Sequence, residues 1–443
     1  MADSSGELGK GHPSLHPSPE EAMSLSLKVL YYVGWWPVKE SNPYRLYTIV
    51  MSSSYPLFYL LMAWFFLSGG KTTTIFLEQA GFVLAFIPIT FNIMTVLFKR
   101  RQFQDVIANL RSFIARTSCV YTEGTLRDAI KEEYLLVVLF TTLILTAGLS
   151  RLAEPIGTYY LIPQAGNNTG GLHLLIQIYT IEEISSLAFG AMFAIQYFVF
   201  GCIIWTLAAA EILMYVLILY TANQFEIIIA LIRNVGGFDR QLFLEAGVGH
   251  THCKSQMGRK SAGDLMNGVI DTISQNPERI LNELQSARMN RFLNSTNNRG
   301  IAHVWEKLVV YHQEALRNAA ELCELFRTAL FLNYALASVV ICTVLYQLKV
   351  VESPFLILFN CFYVAGVTFR LFLMSIFSTR LSMQSEQISD EVAATEWFEY
   401  NNAVKVTLVI MMSRAQRPVQ MWAGRFAVMS LETFSAVSLH PFQ

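Results

Sequence analysis

Two short motifs have residue types that could do chemistry. Gly70–Thr72 resembles the end of a phosphate-binding loop, but that motif requires a glycine at position 65, where the chain has Phe65. His250–Cys253 offers metal ligands, yet no second pair of Cys or His stands at zinc-finger spacing. An external turn and a solvated loop are the simpler interpretations. Because HExxH and GxSxG are also absent from the sequence, we predict no enzyme, no metal site and no cofactor.

Three charged residues inside long apolar stretches are stronger candidates for function, because a charge within a bilayer is costly and commonly functional. Glu78 and Glu211 lie near the ends of their stretches, where water access lowers that cost. Arg370 lies deeper, about two helical turns from the end of its stretch. The sequence leaves open whether Arg370 forms a structural ion pair with Glu211 or takes part in gating.

The elements that carry these residues are seven apolar segments. Apolar residues make up 53% of the chain and charged residues only 15%, a balance that favours a membrane protein over a soluble domain. A bilayer core about 30 Å thick is crossed by roughly 20 helical residues. The seven candidate spans are Tyr44–Ser68, Ile75–Phe98, Tyr134–Ser150, Ser186–Ala210, Phe326–Leu348, Ser353–Phe377 and the marginal Met421–Val437. We therefore predict an all-α membrane protein with seven transmembrane helices.

The distribution of basic residues predicts how the spans are oriented. The connection between the second and third spans is rich in them: Lys99, Arg100, Arg101, Arg111, Arg116, Arg127 and Lys131. Neighbouring connections hold one each, at Lys71, Arg151 and Lys349. The positive-inside rule places the basic connection in the cytoplasm, so the amino terminus is inside and the carboxyl terminus outside. This topology is the reverse of that of a G-protein-coupled receptor. The net charge of −1 argues against a nucleic-acid partner.

The spans divide the chain into six regions. They are a cytoplasmic tail and pre-span segment (1–43), the first four spans with an external loop at 151–185 (44–220), a cytoplasmic loop with an amphipathic helix (221–325), the fifth and sixth spans (326–377), cytoplasmic anchor helices (378–420) and the seventh span (421–443). Asn167 begins a glycosylation sequon in the external loop.

Four further helical features are predicted on the cytoplasmic side. The fourth span continues as one helix to about Arg233, because no Gly, Pro or Asn cluster interrupts it. A polar, glycine-containing stretch up to Gly300 reads mostly as loop, with a short helix at Pro277–Arg288. An amphipathic helix begins at Ile301, and a second one covers Met383–Val404. These cytoplasmic helical extensions would pack together as an intracellular domain, which suits an interface between subunits.

Aromatic residues and scattered hydroxyls in the outer halves of the second to sixth spans suggest a pocket for small volatile hydrophobic molecules. The candidate ligand-binding residues are Phe82, Thr146, Ser150, Phe189, Met192, Phe193, Tyr346, Phe359 and Tyr363. The alternative is that these side chains serve helix packing and contact with membrane lipid, which account for most aromatics in membrane bundles.

Several short motifs resemble those of insect odorant receptors. The carboxyl-terminal set is the most specific: Ser413–Pro418, Trp422–Phe426 and Ser430–Phe434. Other matching pieces follow in the expected order, at Gly34–Pro37, Tyr311–Gln313 and Trp397–Tyr400. The resemblance thus extends from the segment before the first span to the end of the seventh.

The resemblance implies a fold and a function. Members of that family have inverted seven-helix topology and act in the plasma membrane of sensory neurons. They form ligand-gated, non-selective cation channels as tetramers with an odorant co-receptor, joined through the cytoplasmic anchor domain. Volatiles bind within the first six helices, and the seventh lines the pore, here with Phe426, Met429, Thr433 and Val437.

Three alternatives remain open at this stage. The first is a non-conducting truncated isoform, because family members continue beyond the stretch matching Ser430–Phe434, whereas this sequence stops at Gln443. A G-protein-coupled chemoreceptor would need an external amino terminus and an Asp/Glu-Arg-Tyr motif, where this chain has Lys131–Glu133. A transporter would show internal repeats and glycine-interrupted half-helices, and the sequence has neither.

Overall fold

A computed structural model describes residues 20–35, 42–68, 73–161, 174–176, 185–235, 278–350 and 354–439. Within these ranges the chain is mostly helical and contains one short antiparallel strand pair. In order, the elements are α1 (Ser24–Tyr32), α2 (Asn42–Leu67), α3 (Thr73–Phe98), α4 (Arg100–Thr117), α5 (Glu123–Leu161), α6 (Ser186–Arg233), α7 (Glu278–Val350), α8 (Pro354–Ala393), a 3-10 turn (Trp397–Glu399), α9 (Asn402–Ala415), β1 (Trp422–Ala423), β2 (Ala427–Val428) and α10 (Leu431–Leu439).

Six helices in the described ranges are long and apolar enough to cross a membrane: α2, α3, α5, α6, α7 and α8. They contain the first six predicted spans except for Ser68, which follows α2, and Ser353, which lies outside the described residues. The short helix α4 has a different character, because it buries Phe103, Ile107, Leu110 and Ile114 at intervals of three or four residues and leaves its charged face outside. It therefore packs alongside the bundle as an amphipathic helix.

Several predicted helix ends differ from the observed ones. The prediction that α6 reaches Arg233 is confirmed. Helix α5 instead continues to Leu161, into the predicted external loop, and α7 runs without interruption from Glu278 through Gly300. Hydropathy reports where apolar side chains end and not where backbone hydrogen bonding ends. A single glycine costs a helix only about 1 kcal/mol, so α7 replaces the separate helix at Pro277–Arg288 and the loop predicted from there to Gly300. The earlier part of the predicted loop lies outside the described residues.

The predicted span Met421–Val437 is wrong in its first half. Strands β1 and β2 pair there, joined through Gly424, whose φ of 63° lies in the left-handed region that glycine favours. Helix α10 begins only at Leu431, where the Ser430 hydroxyl oxygen accepts a hydrogen bond from the Thr433 amide at 3.1 Å. The described helix is about 13 Å long, shorter than a bilayer core.

The predicted anchor region 378–420 is also divided differently. The chain turns between α8, which ends at Ala393, and α9, which begins at Asn402. The Asn401 side chain caps α9 by accepting a hydrogen bond from the Val404 amide at 2.9 Å. The predicted amphipathic helix Met383–Val404 is therefore the end of α8, a turn and the start of α9.

The chain forms two compact units. The first comprises Met1–Gln224, Ala315–Ser385 and Pro418–Gln443, and the second comprises Phe225–Glu314 and Glu386–Arg417. Within the first unit, the buried carboxylate of Glu133 accepts hydrogen bonds from the Met23 and Ser26 amides, both at 3.0 Å, and from the hydroxyls of Ser26 and Tyr220, both at 2.7 Å. This side chain fixes the start of α1 to the bundle.

The second unit has a small core of its own. Trp305 is 1% exposed, and its ring lies 6.1 Å from that of Tyr400. Arg233 pairs with Glu391 through its Nε at 3.0 Å and through its terminal nitrogen. His312 is buried beside the Phe225 ring, with the two rings 6.5 Å apart. An aromatic core and one ion pair thus hold this unit together.

His312 makes the stability of the second unit depend on pH. It lies on α7 ahead of the predicted span, and burial, followed by the charge of Arg414, lowers its pKa from its ordinary value near 6.5 to about 4. Between these values the unfolded chain binds a proton that the folded chain does not. The free energy of unfolding of this unit therefore has its full value above pH 6.5 and decreases as the pH drops toward 4. In that range the folding equilibrium constant falls by up to about tenfold per pH unit.

We expect the His312→Gln variant to lose this part of the pH dependence. Unfolding midpoints of the purified protein in detergent, measured at about pH 7.5 and about pH 5, would reveal it as a smaller acid-induced shift than in the unaltered chain. The comparison uses the difference between the two pH values, so a general loss of stability in the variant does not affect it. Equal shifts in both proteins would contradict the prediction.

Candidate ligand-binding cavity

The first unit contains a partly open cavity of about 380 Å³ between α3, α5, α6, α7 and α8. This volume is within the range of small-molecule pockets. The described lining is mostly apolar: Phe86, Pro88, Ile89, Leu139, Phe140, Thr142, Leu143, Ile144, Thr146, Gly148, Phe200, Ile204, Leu207, Glu211, Leu336, Ala337, Val340, Phe359, Phe362, Tyr363, Gly366, Val367 and Arg370. Such a cavity suits a small apolar ligand.

Helical periodicity explains which residues reach the cavity. On α6 the lining residues Phe200, Ile204, Leu207 and Glu211 follow at intervals of four, three and four, which is one face of a helix. On α8 the lining face begins at Phe359 and ends at Arg370. At a rise of 1.5 Å per residue that face is about 16 Å long. The cavity is thus elongated, with aromatic rings at one end and charges at the other.

The charged end is an ion pair between α6 and α8. Arg370 Nη1 lies 3.1 Å from Glu211 Oε1, and Glu211 is only 1% exposed. The Tyr215 hydroxyl, on the same helix as Glu211, donates a hydrogen bond to the Arg370 carbonyl at 2.9 Å. Of the two possibilities that the sequence left open for Arg370, the structure contains the ion pair.

Two polar atoms of the lining residues have no hydrogen-bond partner in the described part of the chain. They are the second carboxylate oxygen of Glu211, Oε2, and the hydroxyl of Tyr363, and both atoms are buried. By contrast, the Thr146 hydroxyl on α5 donates to the Thr142 carbonyl at 2.7 Å and is already satisfied. The polar residues of the described lining are Thr142, Thr146, Glu211, Tyr363 and Arg370.

Comparison with known proteins identifies the family. The sequence profile described as 7tm Odorant receptor matches residues 72–438, which is most of the chain. The chain belongs to this insect odorant receptor family. A solved relative of this receptor is the insect olfactory receptor OR5 from Machilis hrabei, with a TM-score of 0.65 over 95% of this chain and 96% of that one. At 11% sequence identity, this similarity supports the same fold and nothing more specific. The predicted all-α seven-transmembrane fold class is confirmed.

Sequence relatives of the receptor match over shorter stretches. Odorant receptor 67a of Drosophila melanogaster is 25% identical over 175 residues, which cover 39% of this chain and 43% of that receptor. Odorant receptor 9a of the same species is 28% identical over 132 residues, which cover 30% of this chain and 33% of that receptor. The chain thus matches less than half of the length of these curated relatives.

The receptor places the nine predicted ligand-binding residues in different surroundings. Thr146, Phe359 and Tyr363 line the cavity. Five others are not among its described lining residues: Ser150, Phe189, Met192, Phe193 and Tyr346. The side chain of Phe82 lies outside the described residues.

The aromatics of α6 that do not reach the cavity pack against one another. The rings of Phe189 and Phe193 are 6.5 Å apart, and those of Phe193 and Tyr197 are 4.2 Å apart. Tyr346 is 52% exposed on α7. The sequence analysis singled out Glu211 and Arg370 as charged residues but did not predict that they line the cavity. The missing signal was their helical phase, because each lies on the same face as aromatic lining residues.

The predicted pore-lining residues lie in different surroundings, and the predicted glycosylation site is outside the described residues. Phe426 is 79% exposed and its ring lies 5.3 Å from that of Phe331. Met429 is 2% exposed, so it packs inside the first unit and offers no surface to a pore. Thr433 is on α10, half-buried. The Val437 side chain, Asn167 and the His250–Cys253 motif lie outside the described residues. Within the described ranges no cluster of His, Cys, Asp and Glu is placed to hold a metal ion.

Close packing beside the cavity makes Gly148 sensitive to substitution. A β-carbon at Gly148 would stand 2.6 Å from Cδ1 and 2.8 Å from Cγ2 of Ile204, across the α5–α6 contact. The Ile204 side chain is β-branched and stiff within a helix, so α5 and α6 must separate or Ile204 must enter the cavity. We expect Gly148→Ala to destabilise the receptor by about 1 to 3 kcal/mol.

The thermal unfolding midpoint in detergent would test this prediction. Gly201→Ala on α6 is the matched control, because nothing lies within 4 Å of its would-be β-carbon and alanine is the better helix former. Adding Ile204→Ala to Gly148→Ala should recover part of the lost stability. A Gly148→Ala receptor as stable as the control variant would contradict the packing described here.

Proposed function

We propose that the receptor is an odorant-gated subunit of a heteromeric, non-selective cation channel in the plasma membrane of sensory neurons. The observation that carries this proposal is the apolar cavity between five helices of an odorant receptor family member. A small volatile hydrophobic molecule of suitable shape would fill it and remove its own apolar surface from water. The receptor OR5 from Machilis hrabei has a solved structure in complex with eugenol, which supports a small organic ligand here.

The helices that line the cavity also hold the carboxyl-terminal hairpin, which supports a link between ligand and pore. The Gly424 amide donates to the Arg327 carbonyl of α7 at 3.1 Å. From α8, the Ser378 hydroxyl donates to the Met429 carbonyl at 2.7 Å. The Thr379 hydroxyl oxygen accepts from the Leu431 amide at 3.0 Å. A ligand that binds one arrangement of α7 and α8 more tightly would therefore bias the hairpin and α10. We assign Phe426 of the hairpin, together with Thr433 and Val437 of α10, to the pore.

Assembly with an odorant co-receptor is supported by the surface of the second unit. Helix α9 leaves apolar side chains exposed, with Val406 60% and Ile410 64% accessible, and Val409 48%. Phe398, just before α9, is 60% exposed. Contiguous exposed apolar side chains of this kind are typical of interaction surfaces. We assign this surface to the contact with neighbouring subunits in a hetero-tetramer.

The decisive experiment is whole-cell current recorded from the receptor co-expressed with an insect odorant co-receptor under a panel of volatiles. We expect ligand-evoked cation current that the co-receptor alone does not give. Leu143→Trp should fill the cavity and raise the half-maximal concentration at least about tenfold, through overpacking. Leu135→Trp is the matched control on the same helix, because Leu135 is 64% exposed and outside the lining. A receptor that reaches the surface without evoked current, or equal responses of both variants, would contradict the proposal.

The inverted topology has a test of its own. An epitope tag at the amino terminus should be stained only after the cells are permeabilised, because the positive-inside rule places that end in the cytoplasm. Staining of intact cells would contradict this topology and favour a G-protein-coupled chemoreceptor instead.

A further inference from the structure

Packing closes the cavity beyond its charged end. The last lining residue on α6 is Glu211, which pairs with Arg370 of α8 at 3.1 Å. Every residue of α6 from 212 to 224 is buried, so other parts of the first unit surround the helix on all its faces. The described residues therefore leave no passage to the cavity from this end.

A segment of the predicted external loop covers the opposite end. Residues 174–176 are fully buried. The Gln196 side chain on α6 accepts a hydrogen bond from the Ile176 amide at 2.9 Å and donates one to the Ile176 carbonyl at 3.1 Å. The Gln79 side chain on α3 donates to the Leu175 carbonyl at 3.3 Å. Gln196 lies one turn before the lining residue Phe200, so this segment lies directly beyond the cavity.

The cavity reaches the protein surface along α5. One outward face of this helix carries exposed residues at alternating intervals of four and three: Leu135, Leu139, Thr142, Thr146 and Leu149. The three central members of this face also line the cavity, whereas the first and last do not. The cavity is therefore open to the outside of the bundle between Leu135 and Leu149.

Helix α8 forms the other side of this opening. It is a neighbour of α5, because Arg380 on α8 pairs with Glu132 on α5. Phe362 on α8 lines the cavity and is 43% exposed. Gly366, one turn further along, also lines it, and nothing lies within 4 Å of its would-be β-carbon. We call this gap the lateral opening, with Leu139, Thr142 and Thr146 on one side and Phe362 and Gly366 on the other.

The lateral opening lies at the depth of the bilayer core. Thr142 and Phe362 are near the middle of the third and sixth predicted spans. The Thr146 hydroxyl donates to the Thr142 carbonyl at 2.7 Å, so this donor is satisfied where no water is available. Hydrocarbon chains of the membrane can therefore approach the opening without leaving this hydroxyl unpaired.

We propose that the lateral opening is the ligand entrance. Apolar molecules leave water for the bilayer core, because burial of apolar surface is favourable. From there they pass between α5 and α8 into the cavity, without crossing the end that residues 174–176 cover. Charged molecules are excluded, because a charge in the bilayer core is costly. This inference rests on the proposed function for the role of the cavity as the ligand site.

Photolabelling from within the membrane tests the opening without an odorant. The full-length receptor is reconstituted in vesicles of phosphatidylcholine whose acyl chains carry a diazirine near the methyl end, and labelled residues are identified by mass spectrometry. Two adjacent valines on α7 are the matched pair: Val340 is buried in the lining, whereas Val339 is exposed and outside it. We expect label at both. Label at Val339 without label at Val340 would overturn the inference.

Variants at the two sides of the opening show which path the label takes. Thr142→Trp places an indole in the gap and should remove most of the label from Val340 but none from Val339. Phe362→Ala widens the gap and should increase the label at Val340. Leu135→Trp is the control, because it lies on the same exposed face of α5 and outside the lining. Unchanged label at Val340 in both Thr142→Trp and Phe362→Ala would overturn the inference.

The kinetics of the evoked current distinguish an entrance from a binding contact. The probe is the volatile that evokes the largest current from the receptor with the co-receptor. Thr142→Trp should slow activation and deactivation alike by about tenfold, a barrier increase of about 1.4 kcal/mol, because entry and exit use the same opening. The half-maximal concentration should change far less. A shifted half-maximal concentration with unchanged rates would contradict the role as an entrance.

Labelling and current separate this inference from the proposed channel. Label at Val340 that Thr142→Trp removes, without any evoked current, would support the lateral opening and contradict the channel. Evoked current without label at Val340 would support the channel and contradict entry from the bilayer.

Discussion

Arg370→Met should destabilise the receptor by about 3 to 5 kcal/mol, because it leaves the carboxylate of Glu211 buried without its cation. Glu211 is 1% exposed, and its carboxylate pairs with Arg370 Nη1 at 3.1 Å. The loss would appear as a lower unfolding midpoint in detergent and a lower yield of monodisperse protein.

Removing the second charge should reverse most of that loss. The double variant Arg370→Met with Glu211→Leu has apolar side chains of suitable size on both α6 and α8, and replacement of a whole buried ion pair by apolar residues is often neutral or stabilising. We expect an unfolding midpoint near that of the unaltered receptor. A double variant no more stable than Arg370→Met alone would mean that the two side chains do not act as a pair.

Glu133→Ala should have a comparable effect where α1 meets the bundle. The substitution removes one carboxylate and leaves the Met23 and Ser26 amides and the Tyr220 hydroxyl without their acceptor. Each buried polar group left unsatisfied costs about 1 to 3 kcal/mol, and a total loss of about 3 kcal/mol or more is expected. Release of α1 from the bundle should also expose the amino-terminal segment to limited proteolysis.

The neighbouring residue provides the matched control for this prediction. Glu132 pairs with Arg380, but its side chain is 38% exposed, and partly exposed ion pairs contribute about 1 kcal/mol or less. Glu132→Ala should therefore change the unfolding midpoint little and leave the protease pattern intact. Similar behaviour of the two alanine variants would show that the Glu133 hydrogen bonds do not hold α1.

Sequence reasoning located the spans well, because the bilayer imposes a simple requirement on composition. A helix that crosses it must present roughly 20 mostly apolar residues, and six of the seven predicted segments lie within helices of that character. The uninterrupted run from Ser186 to Arg233 was predictable for the same kind of reason, since no helix-breaking cluster lies within it. The carboxyl-terminal motifs were specific enough to indicate the family.

Hydropathy failed where length and apolarity fit more than one backbone conformation. Met421–Val437 is apolar enough for a span, yet it contains a hairpin whose turn depends on Gly424 and on tertiary hydrogen bonds to Arg327 and Ser378. Those partners are distant in sequence, so no local pattern could indicate them.

The sequence by itself determined the helical membrane class, the positions of the first six spans and the family, because each depends on local composition or on short motifs. Only the tertiary structure decided which side chains face the cavity. Phe189 and Phe359 have the same chemistry and similar helical surroundings, but only Phe359 lines it. The tertiary structure also decided which residue pairs with Arg370, because the partner, Glu211, is 159 residues away in the sequence. Lipid-facing and cavity-facing aromatics follow the same helical period, and only the packing of α6 against α8 distinguishes them.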